Sequence, residues 1–246
     1  MALYDLLGLM EKKLAKAQGK GYGSSTISSE IGSIVKLLNG DQPKLCVDIG
    51  GNVGDYSAHL HRVFPNSDIV CFEPSQINID LLTSRFSDHE RIKVEPFAVS
   101  NEAGVFTLHS DKPGSGLGSL TKRNLEHFGR DFEVTETITT LRFDDYWKEK
   151  LNSAPIDILK LDIEGHEMDA FEGASDALAS TRVVQFEFGG SNIDTRTYYQ
   201  DFWYYFLERE FSLFRITPFG LAKIKKYRER DECFRTTNFL ALSNKS

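Results

Sequence analysis

Short apolar runs alternate along this chain with segments in which apolar residues recur at helical spacing. Three runs in the first half, residues 45–49, 69–72 and 92–97, are rich in β-branched residues and bounded by turn residues, so they predict buried strands. Helical spacing follows the first run at residues 54–64, and Ser75 can cap a helix after the second. Strand–helix units in series predict a parallel sheet with right-handed crossovers, and therefore an α/β fold.

The second half of the chain continues this pattern. Further strands are predicted at residues 105–108 (an edge strand), 135–141, 156–161, 183–188 and 239–242. Residues 198–211 are heavily aromatic, which is typical of a helix buried in the core or in an interface. An aromatic wall that binds an acceptor molecule is the alternative. Residues 223–230 are basic and predict a solvated hairpin.

The N-terminal segment predicts two helices. Apolar residues at helical spacing in the first are Leu3, Leu6, Leu7, Met10 and Leu14. With a second helix at residues 28–38, we divide the chain into accessory helices at 1–40 and a main domain at 41–246. We expect the first helix to pack on that domain or on a second subunit, which would make the protein a homo-oligomer. Its lysines favour the alternative of binding to a membrane surface.

Composition narrows the functional classes. The 246 residues carry a net charge of -7, which argues against nonspecific electrostatic binding of nucleic acid. No apolar run approaches the ~20 residues of a membrane span, so we expect no stable membrane insertion. The cysteines are three in number and two lie in predicted core strands, which is typical of reduced thiols in a cytoplasmic protein.

The turn after the first strand has the spacing D-x-G-x-N-x-G, from Asp48 to Gly54. Small residues between a strand and a helix let backbone amides approach a ligand. The G-x-G-x-x-G spacing of dinucleotide dehydrogenases is absent. An acid at this turn would repel a pyrophosphate, but it suits an ammonium group such as that of a methionine moiety. The ligand predicted here is therefore S-adenosylmethionine.

A second acid supports this prediction. Glu73 ends the second predicted strand, where a carboxylate can accept both ribose hydroxyls of an adenosine. The alternative is that Glu73 faces solvent beside Pro74. Residues at the end of the third strand would then lie near the adenine. The predicted cofactor-binding residues are Asp48, Gly50, Asn52, Gly54, Tyr56, Ser57, Glu73, Pro74, Ala98 and Val99.

Three polar residues follow the strand at 156–161 and are candidates for catalysis: Asp162, Glu164 and His166. If this strand lies beside the first one, its end opens into the crevice where doubly wound sheets bind ligands. These groups could then take the proton of an acceptor hydroxyl, and Glu187 could join them. The alternative is structural: Lys160 neutralises Asp162, and the other two residues cap a helix.

The glycine-rich stretch at residues 113–119 is open to two interpretations. It is a surface loop, or it is a lid over the cofactor or the acceptor.

The motifs together resemble one family. In chain order they are C-V-D-I-G-G-N-V-G-D-Y-S, C-F-E-P-S, P-F-A-V-S-N-E-A-G, L-K-L-D-I-E-G-H-E and F-E-F. They resemble the FkbM-type S-adenosylmethionine-dependent methyltransferases. The resemblance implies a Rossmann-like class I methyltransferase fold, with a seven-stranded, mostly parallel sheet and helices on both faces. It also implies methylation of a hydroxyl on a small-molecule or glycan acceptor, often a sugar or a secondary metabolite.

Two rival functions stay open. In a catechol-type O-methyltransferase, Asp162, Glu164 or Glu187 would hold Mg²⁺, a hard ion that prefers oxygen ligands. We predict no particular metal ligand. A non-catalytic nucleotide-binding or assembly protein is the other rival, and the intact acids at the strand ends argue against it. A nucleic-acid methyltransferase is disfavoured, because the chain is acidic and lacks an N/D-P-P-Y/F motif.

Overall fold

A twisted sheet lies at the centre of the protein, in a computed structural model that describes residues 3–24 and 26–245. Within those residues the strands are β1 (Leu45–Ile49), β2 (Asp68–Phe72), β3 (Ile92–Glu95), β4 (Ala98–Val99), β5 (Gly104–Ser110), β6 (Val134–Leu141), β7 (Ile156–Leu161), β8 (Thr181–Phe188), β9 (Phe211–Thr217), β10 (Gly220–Ile224) and β11 (Thr237–Ser243). The helices are α1 (Leu3–Ala17), α2 (Ile27–Leu38), α3 (Asp55–Val63), α4 (Gln76–Arg85), α5 (Phe143–Lys150), α6 (Glu167–Glu172), α7 (Ser175–Leu178), α8 (Ser191–Thr195) and α9 (Tyr199–Glu208), with 3₁₀ turns at Glu126–Phe128 and Glu229–Asp231.

The main sheet has the strand order β10-β9-β11-β8-β7-β1-β2-β3. Strands β3, β2, β1, β7 and β8 run parallel, and β11, β9 and β10 continue the sheet with antiparallel pairing. The chain therefore moves outward from β1 to β3 and returns to β7 on the other side of β1. In such sheets the ligand crevice opens at the carboxyl ends of the two strands where the order reverses.

The predicted fold class is confirmed, with one difference in the sheet. Seven strands were expected, and the described residues form eight, because β10 folds back on β9 as a hairpin. The predicted aromatic helix also ends earlier, at Glu208. Glu210 has a left-handed backbone (φ 61°), which turns the chain so that β9 can begin at Phe211.

The strands expected at residues 105–108 and 135–141 lie outside the main sheet. They form β5 and β6, which pair antiparallel, and β6 pairs with the short β4 in a second sheet. The predicted third strand is accordingly divided into β3 and β4. Together, β4 to β6 place the chain between residues 110 and 134 beside the crevice of the main sheet.

Helices cover both faces of the main sheet, as expected. One core packs α5, α6, α7 and α9 against the sheet, and its centre is aromatic (Phe171, Phe186, Phe202 and Phe206). The other core packs α2, α3 and α4 around Ile31, Ile34, Leu60 and Leu82. Since Tyr199, Phe202 and Phe206 are fully buried, α9 is a core helix, and the alternative of an aromatic acceptor wall is wrong.

The two N-terminal helices differ in their packing. Helix α2 belongs to the core, whereas none of the residues Leu3–Ala17 in α1 is buried. The expectation that the apolar face of α1 packs on the main domain is therefore wrong. The division of the chain at residue 40 stays a prediction. In the described residues, no helix is both long and apolar enough to cross a membrane.

Candidate active site

The turn between β1 and α3 is held between two neighbouring strand ends. The amides of Gly50 and Gly51 donate to the carbonyl of Phe72 at 3.0 and 2.9 Å. Gly50 has a φ of 84°, and a Cβ there would collide with the carbonyl oxygen of Asp162. Both constraints require glycine. The turn is thereby fixed at the point where β1, β2 and β7 end together.

Glu73 stabilises this turn through hydrogen bonds to its carboxylate. Its carboxylate accepts hydrogen bonds from the amides of Asn52 (2.8 Å) and Ser75 (3.0 Å) and from the side chain of Asn78 (3.3 Å). Burial raises the pKa of Glu73 above its ordinary value, while the two backbone amides act in the opposite direction. The residue is only 6% exposed. The alternative in which Glu73 simply faces solvent is therefore wrong.

A pocket of about 640 Å³ opens over these strand ends. Residues predicted from the sequence that line it are Gly50, Asn52, Glu73, Pro74, Ala98, Val99, Asp162, Glu164 and His166. Apolar side chains that complete the wall are Ile49, Phe72, Phe97 and Leu108. Six of the ten predicted cofactor residues and all three predicted catalytic residues thus share one pocket.

The glycine-rich stretch at residues 113–119 forms another wall of the same pocket, through Ser115, Gly116, Gly118 and Ser119. A Cβ on Gly116 would lie 2.8 Å from Nδ2 of Asn52, so the backbone of the stretch packs closely on the turn. The Ser119 hydroxyl donates to the carbonyl of Glu164 at 2.9 Å. The stretch is therefore part of the site, and its opening and closing as a lid stays a prediction.

Asp48 lies beneath the turn and not in the pocket wall. It is fully buried, and its carboxylate accepts from the Ser57 hydroxyl at 2.7 Å and pairs with Lys160 Nζ at 3.1 Å. Lys160 also donates to the carbonyl of Gly50 at 3.1 Å. Burial acts to lower the pKa of Lys160, but Asp48 and Asp162 outweigh it and raise that pKa. Asp48 and Ser57 thus hold the turn through Lys160, and Gly54 packs on Leu82 behind it.

A second pocket, of about 770 Å³, meets the first at Gly50, Asn52 and Asp162. Tyr56, Lys160 and Glu187 line it, together with residues at the start of α2. The Tyr56 hydroxyl donates to Gln185 at 2.7 Å. Tyr56 therefore contributes to this second pocket, and Asp162 lines both.

Glu164 is placed by a backbone turn. The extended backbone of β7 ends at Leu161, and Glu164 and Gly165 have φ values of 55° and 99°. The strand-spacing argument that grouped Glu164 with Asp162 therefore does not apply, although both line the pocket.

The Glu164 carboxylate is tied to Arg123. The Arg123 guanidinium donates to it at 2.6 Å and to Asp194 at 3.1 Å. Burial raises the pKa of Glu164 to about 8, the negative charge of Asp162 adds to this, and Arg123 opposes it. Because its carboxylate is engaged by Arg123, Glu164 is less available than His166 to accept a proton.

His166 has partners at both ring nitrogens. Nδ1 lies 2.7 Å from the carboxylate of Asp169, and Nε2 lies 3.0 Å from the hydroxyl of Thr121. Because a carboxylate only accepts, Nδ1 carries a hydrogen and donates it, which leaves Nε2 as the acceptor in neutral imidazole. The arrangement is that of a base oriented by an acid. The interpretation of His166 as only a helix cap misses this orientation.

Glu167 holds the same turn from inside. Its carboxylate accepts from the amides of Ile163 (3.0 Å) and Gly165 (3.3 Å). Burial raises its pKa to about 7, while the amide of Ile163 acts in the opposite direction.

Burial also raises the pKa of Glu187, with the charges of Asp162 and Glu164 adding to the effect.

Sequence reasoning missed Asp169, Thr121 and Arg123. The spacing His166-x-x-Asp169 at the start of a helix could have indicated the first, since residues three apart share a helix face. The other two approach from a loop more than forty residues away, and no local signal marks them. Over the described part of the chain, no group of three or more His, Cys, Asp or Glu residues is arranged to hold a metal ion.

Residues 48–213 match the family described as the methyltransferase FkbM domain. This chain belongs to that family. It is thus a methyltransferase of the S-adenosylmethionine-dependent class, as the motifs predicted.

Two named relatives show how far the similarity extends. The "2-O-methyltransferase NoeI" of Sinorhizobium fredii is 24% identical over 172 residues, which cover 65% of this chain and 69% of the relative. "Methyltransferase 1" of Beauveria bassiana is 25% identical over 144 residues, which cover 53% and 58%. The methyltransferase therefore matches little more than half of the length of the second relative.

A solved structure agrees with the fold. The O-methyltransferase from Bacillus cereus, in complex with SAH, superposes with a TM-score of 0.50 at 12% identity. The superposition covers 99% of the methyltransferase and 92% of that chain. At this identity the comparison shows a shared fold and nothing further.

Proposed function

We propose that this methyltransferase transfers a methyl group from S-adenosylmethionine to a hydroxyl of a sugar, a glycoconjugate or a secondary metabolite. The observation that carries the proposal is the orientation of His166 by Asp169 in the wall of the pocket. The relative named as a 2-O-methyltransferase supports transfer to oxygen. The FkbM family resemblance supports the acceptor class.

The pocket fits the cofactor in its chemistry. An adenosine needs an apolar surface for its base and an anionic acceptor for its ribose hydroxyls, and Phe97 and Glu73 provide these in one wall. In the proposal, Glu73 binds the ribose, the segment 97–99 contacts the adenine, and the turn at Gly50–Asn52 receives the methionine end. Asp162 lies next to that turn, where a carboxylate stabilises positive charge.

The cofactor supplies a methyl group attached to a positively charged sulfur. The protein must remove the proton of the acceptor hydroxyl, since an alcohol holds it tightly at neutral pH. In the proposal, Nε2 of His166 accepts that proton while Nδ1 stays bonded to Asp169, whose carboxylate stabilises the imidazolium. The Thr121 hydroxyl, 3.0 Å from Nε2, shows that an alcohol oxygen can approach this atom. Acceptor binding would displace Thr121 or share its contact.

Asp162 has a different proposed role. Its side chain is 41% exposed and lies 3.7 Å from Lys160, whose closer partner is Asp48. The carboxylate is thus only partly neutralised, and the residue lines both pockets. We assign binding and charge stabilisation to Asp162. Proton transfer is the proposed role of His166.

Methyl transfer from isotope-labelled S-adenosylmethionine tests the proposal. The purified protein is incubated with fractionated neutral sugars, glycolipids and phenolic metabolites, and the products are analysed by mass spectrometry. Label in an O-methyl ether supports the proposal, and label on nitrogen or carbon contradicts it. Cofactor binding without transfer to any fraction would instead favour a non-catalytic binding protein. A chelator added to the active fraction distinguishes this mechanism from a Mg²⁺-assisted one.

The remaining expectations on partners and location are also proposals. The net charge of -7 supports an acceptor other than nucleic acid. Buried free thiols at Cys46 and Cys71 support a reducing, cytoplasmic compartment. Assembly as a homo-oligomer is a further proposal that sedimentation velocity can test.

A further inference from the structure

Residues 110–118 form a closed loop beside the first pocket, and we call them the cover loop. The loop is joined at its base, where the His109 amide donates to the carbonyl of Ser119 at 2.8 Å and the Ser119 amide donates to the carbonyl of His109 at 3.0 Å. Among the described residues, every hydrogen bond that residues 112–118 make stays within the cover loop. A compact loop with joined ends can move as a unit about its base.

The tip of the cover loop rests on the pocket by packing alone. A Cβ on Gly116 would lie 2.8 Å from Nδ2 of Asn52, and one on Gly114 would lie 3.0 Å from Oδ1 of Asn78. Asn78 in turn donates through Nδ2 to Glu73 at 3.3 Å, the residue to which we assign the ribose. The tip therefore lies against the part of the pocket that is proposed to receive the adenosine.

The chain beyond the base is held by side-chain hydrogen bonds. The Ser119 hydroxyl donates to the carbonyl of Glu164 at 2.9 Å, and the Arg123 guanidinium donates to the Glu164 carboxylate at 2.6 Å. The hydroxyl of Thr121 lies 3.0 Å from Nε2 of His166. Three side chains thus fasten this segment to the turn at residues 162–166. The cover loop has a fixed end at the candidate catalytic residues and a free tip over the adenosine end.

One buried atom favours opening of the loop. Oδ1 of Asn78 has no hydrogen-bond partner among the described residues, and Asn78 is only 2% exposed. The orientation of the amide is set by Glu73, because a carboxylate accepts and must therefore face Nδ2. Gly114 covers the oxygen. Covering an unpaired acceptor costs free energy, and this cost is recovered when the tip lifts and water reaches the oxygen.

The cover loop belongs to the first pocket alone. Ser115, Gly116 and Gly118 line that pocket, whereas none of the described residues that line the second pocket belongs to the loop. A ligand that enters through the second pocket therefore does not depend on movement of the loop. The loop is placed to control the cofactor and not the acceptor.

We propose that the cover loop is a lid over the adenosine end of the cofactor. It opens about the His109–Ser119 base to admit the cofactor and closes to retain it, while the turn at residues 162–166 stays in place. The lid rests on the proposed function, since it needs an adenosine at Glu73 to cover. Opening of the loop then sets the rates at which the cofactor enters and leaves.

Hydrogen exchange of the full chain, followed by mass spectrometry, tests the lid. Saturating S-adenosylhomocysteine, the demethylated cofactor, should slow exchange in the cover loop about tenfold or more and leave the β9–β10 turn unchanged. Saturating adenosine should also protect the loop, and methionine should not. The lid is overturned if S-adenosylhomocysteine binds by calorimetry without slowing exchange there, or if methionine protects as adenosine does. Absence of any binding by calorimetry would contradict the proposed cofactor itself, and the lid with it.

A glycine variant tests the closed position. Gly116→Ala places a methyl group against the Asn52 amide, which Asn78 holds at 3.3 Å, so the tip should be displaced outward. Surface plasmon resonance should then show S-adenosylhomocysteine associating and dissociating faster, each by about fivefold. Gly32→Ala, in α2 where a Cβ meets nothing within 4 Å, is the control and should match the unaltered protein.

The two rates separate a lid from a damaged site. A variant that merely harms the cofactor contacts speeds dissociation and does not speed association. Circular dichroism checks that each variant is folded. Faster dissociation alone in Gly116→Ala, or rates equal to those of the control, would overturn the lid while leaving the proposed function intact.

Discussion

Asp169 holds the imidazole of His166 through a contact of 2.7 Å between Oδ2 and Nδ1. The two residues are three positions apart at the start of α6, so the helix itself sets their separation. The contact fixes the hydrogen on Nδ1 and directs Nε2 toward Thr121 at the pocket wall. If His166 is the base, Asp169 is the residue that positions it.

Replacement of Asp169 tests that relationship. Asp169→Asn preserves the shape but favours the wrong imidazole tautomer, so kcat should fall by about 10²-fold or more. The pH profile of kcat should change as well, because the stabilising charge is lost. Asp176→Asn, at a surface aspartate paired with Lys148, is the matched control and should leave both unchanged. Near-normal kcat in Asp169→Asn would remove this pair from the mechanism.

Asp162 should be needed for turnover more than for folding. Asp162→Asn is nearly isosteric, and the side chain is partly exposed, so the thermal midpoint should change little. Turnover should fall by about 10²-fold, because the amide cannot stabilise positive charge. Steady-state kinetics beside a melting curve measures both effects. If Asp162→Asn and His166→Ala each keep near-normal turnover on the true acceptor, the cluster is structural.

Glu73 should contribute strongly to cofactor affinity. Glu73→Ala should weaken binding of S-adenosylmethionine by roughly 1.5–3 kcal/mol, because charge-assisted bonds to the ribose are lost. The variant also frees the amides of Asn52 and Ser75, so some stability should be lost. In Glu73→Gln only one of these amides keeps an acceptor, because Asn52 and Ser75 donate to different oxygens, so a melting curve for each variant separates lost affinity from lost stability. Calorimetry that shows unaltered affinity in both variants would place the ribose elsewhere.

The raised pKa of Glu164 predicts a pH-dependent stability. Burial raises it to about 8 from an ordinary value of 4.5, so the folded protein binds this proton more tightly than the unfolded chain. The resulting stabilisation is complete below pH 4.5 and is lost as pH rises toward about 8. Unfolding midpoints in denaturant should decline across that window. The decline should be shallower in Glu164→Gln, which cannot titrate.

Glu133 is exposed and paired with Lys122, and it supplies the control. In Glu133→Gln the unfolding midpoint should fall with pH as steeply as in the unaltered protein. Glu167, with a pKa raised to about 7, should contribute part of the slope that remains in Glu164→Gln. Equal slopes in the unaltered protein and in Glu164→Gln would show that Glu164 is ionised throughout.

Two glycines with the same backbone conformation allow the cost of a steric clash to be measured apart from the cost of backbone strain. Gly50 (φ 84°) and Gly40 (φ 93°) are both left-handed, but only a Cβ on Gly50 would collide with a backbone atom. Gly40→Ala should cost about 1–2 kcal/mol, the strain of the backbone alone. Gly50→Ala should cost clearly more and should also abolish cofactor binding, since the turn must move away from Asp162. Equal losses of unfolding free energy would show that the turn tolerates a shift.

Much of the fold was determined by local sequence. The apolar runs at β1, β2, β7 and β8 predicted the strands, and the helices alternating with them predicted the parallel sheet, because a strand–helix–strand unit returns the chain in the same direction. The same runs located the site, since parallel strands end at a common edge and motifs directly after them must meet there. Gly50, Glu73 and Asp162 were predicted together for this reason, and the structure places them in one pocket.

The tertiary structure decided which partners these residues have. Asp48 and Lys160 face each other only because β1 and β7 are neighbours in register, and the ion pair withdraws Asp48 from the pocket wall. Arg123 and Thr121 approach the end of β7 from a loop that the sheet of β4 to β6 positions. Local periodicity records whether a side chain is buried within its own element. It contains no information on long-range charge partners, so the contacts of Glu164 with Arg123 and of His166 with Thr121 follow only from the folded chain.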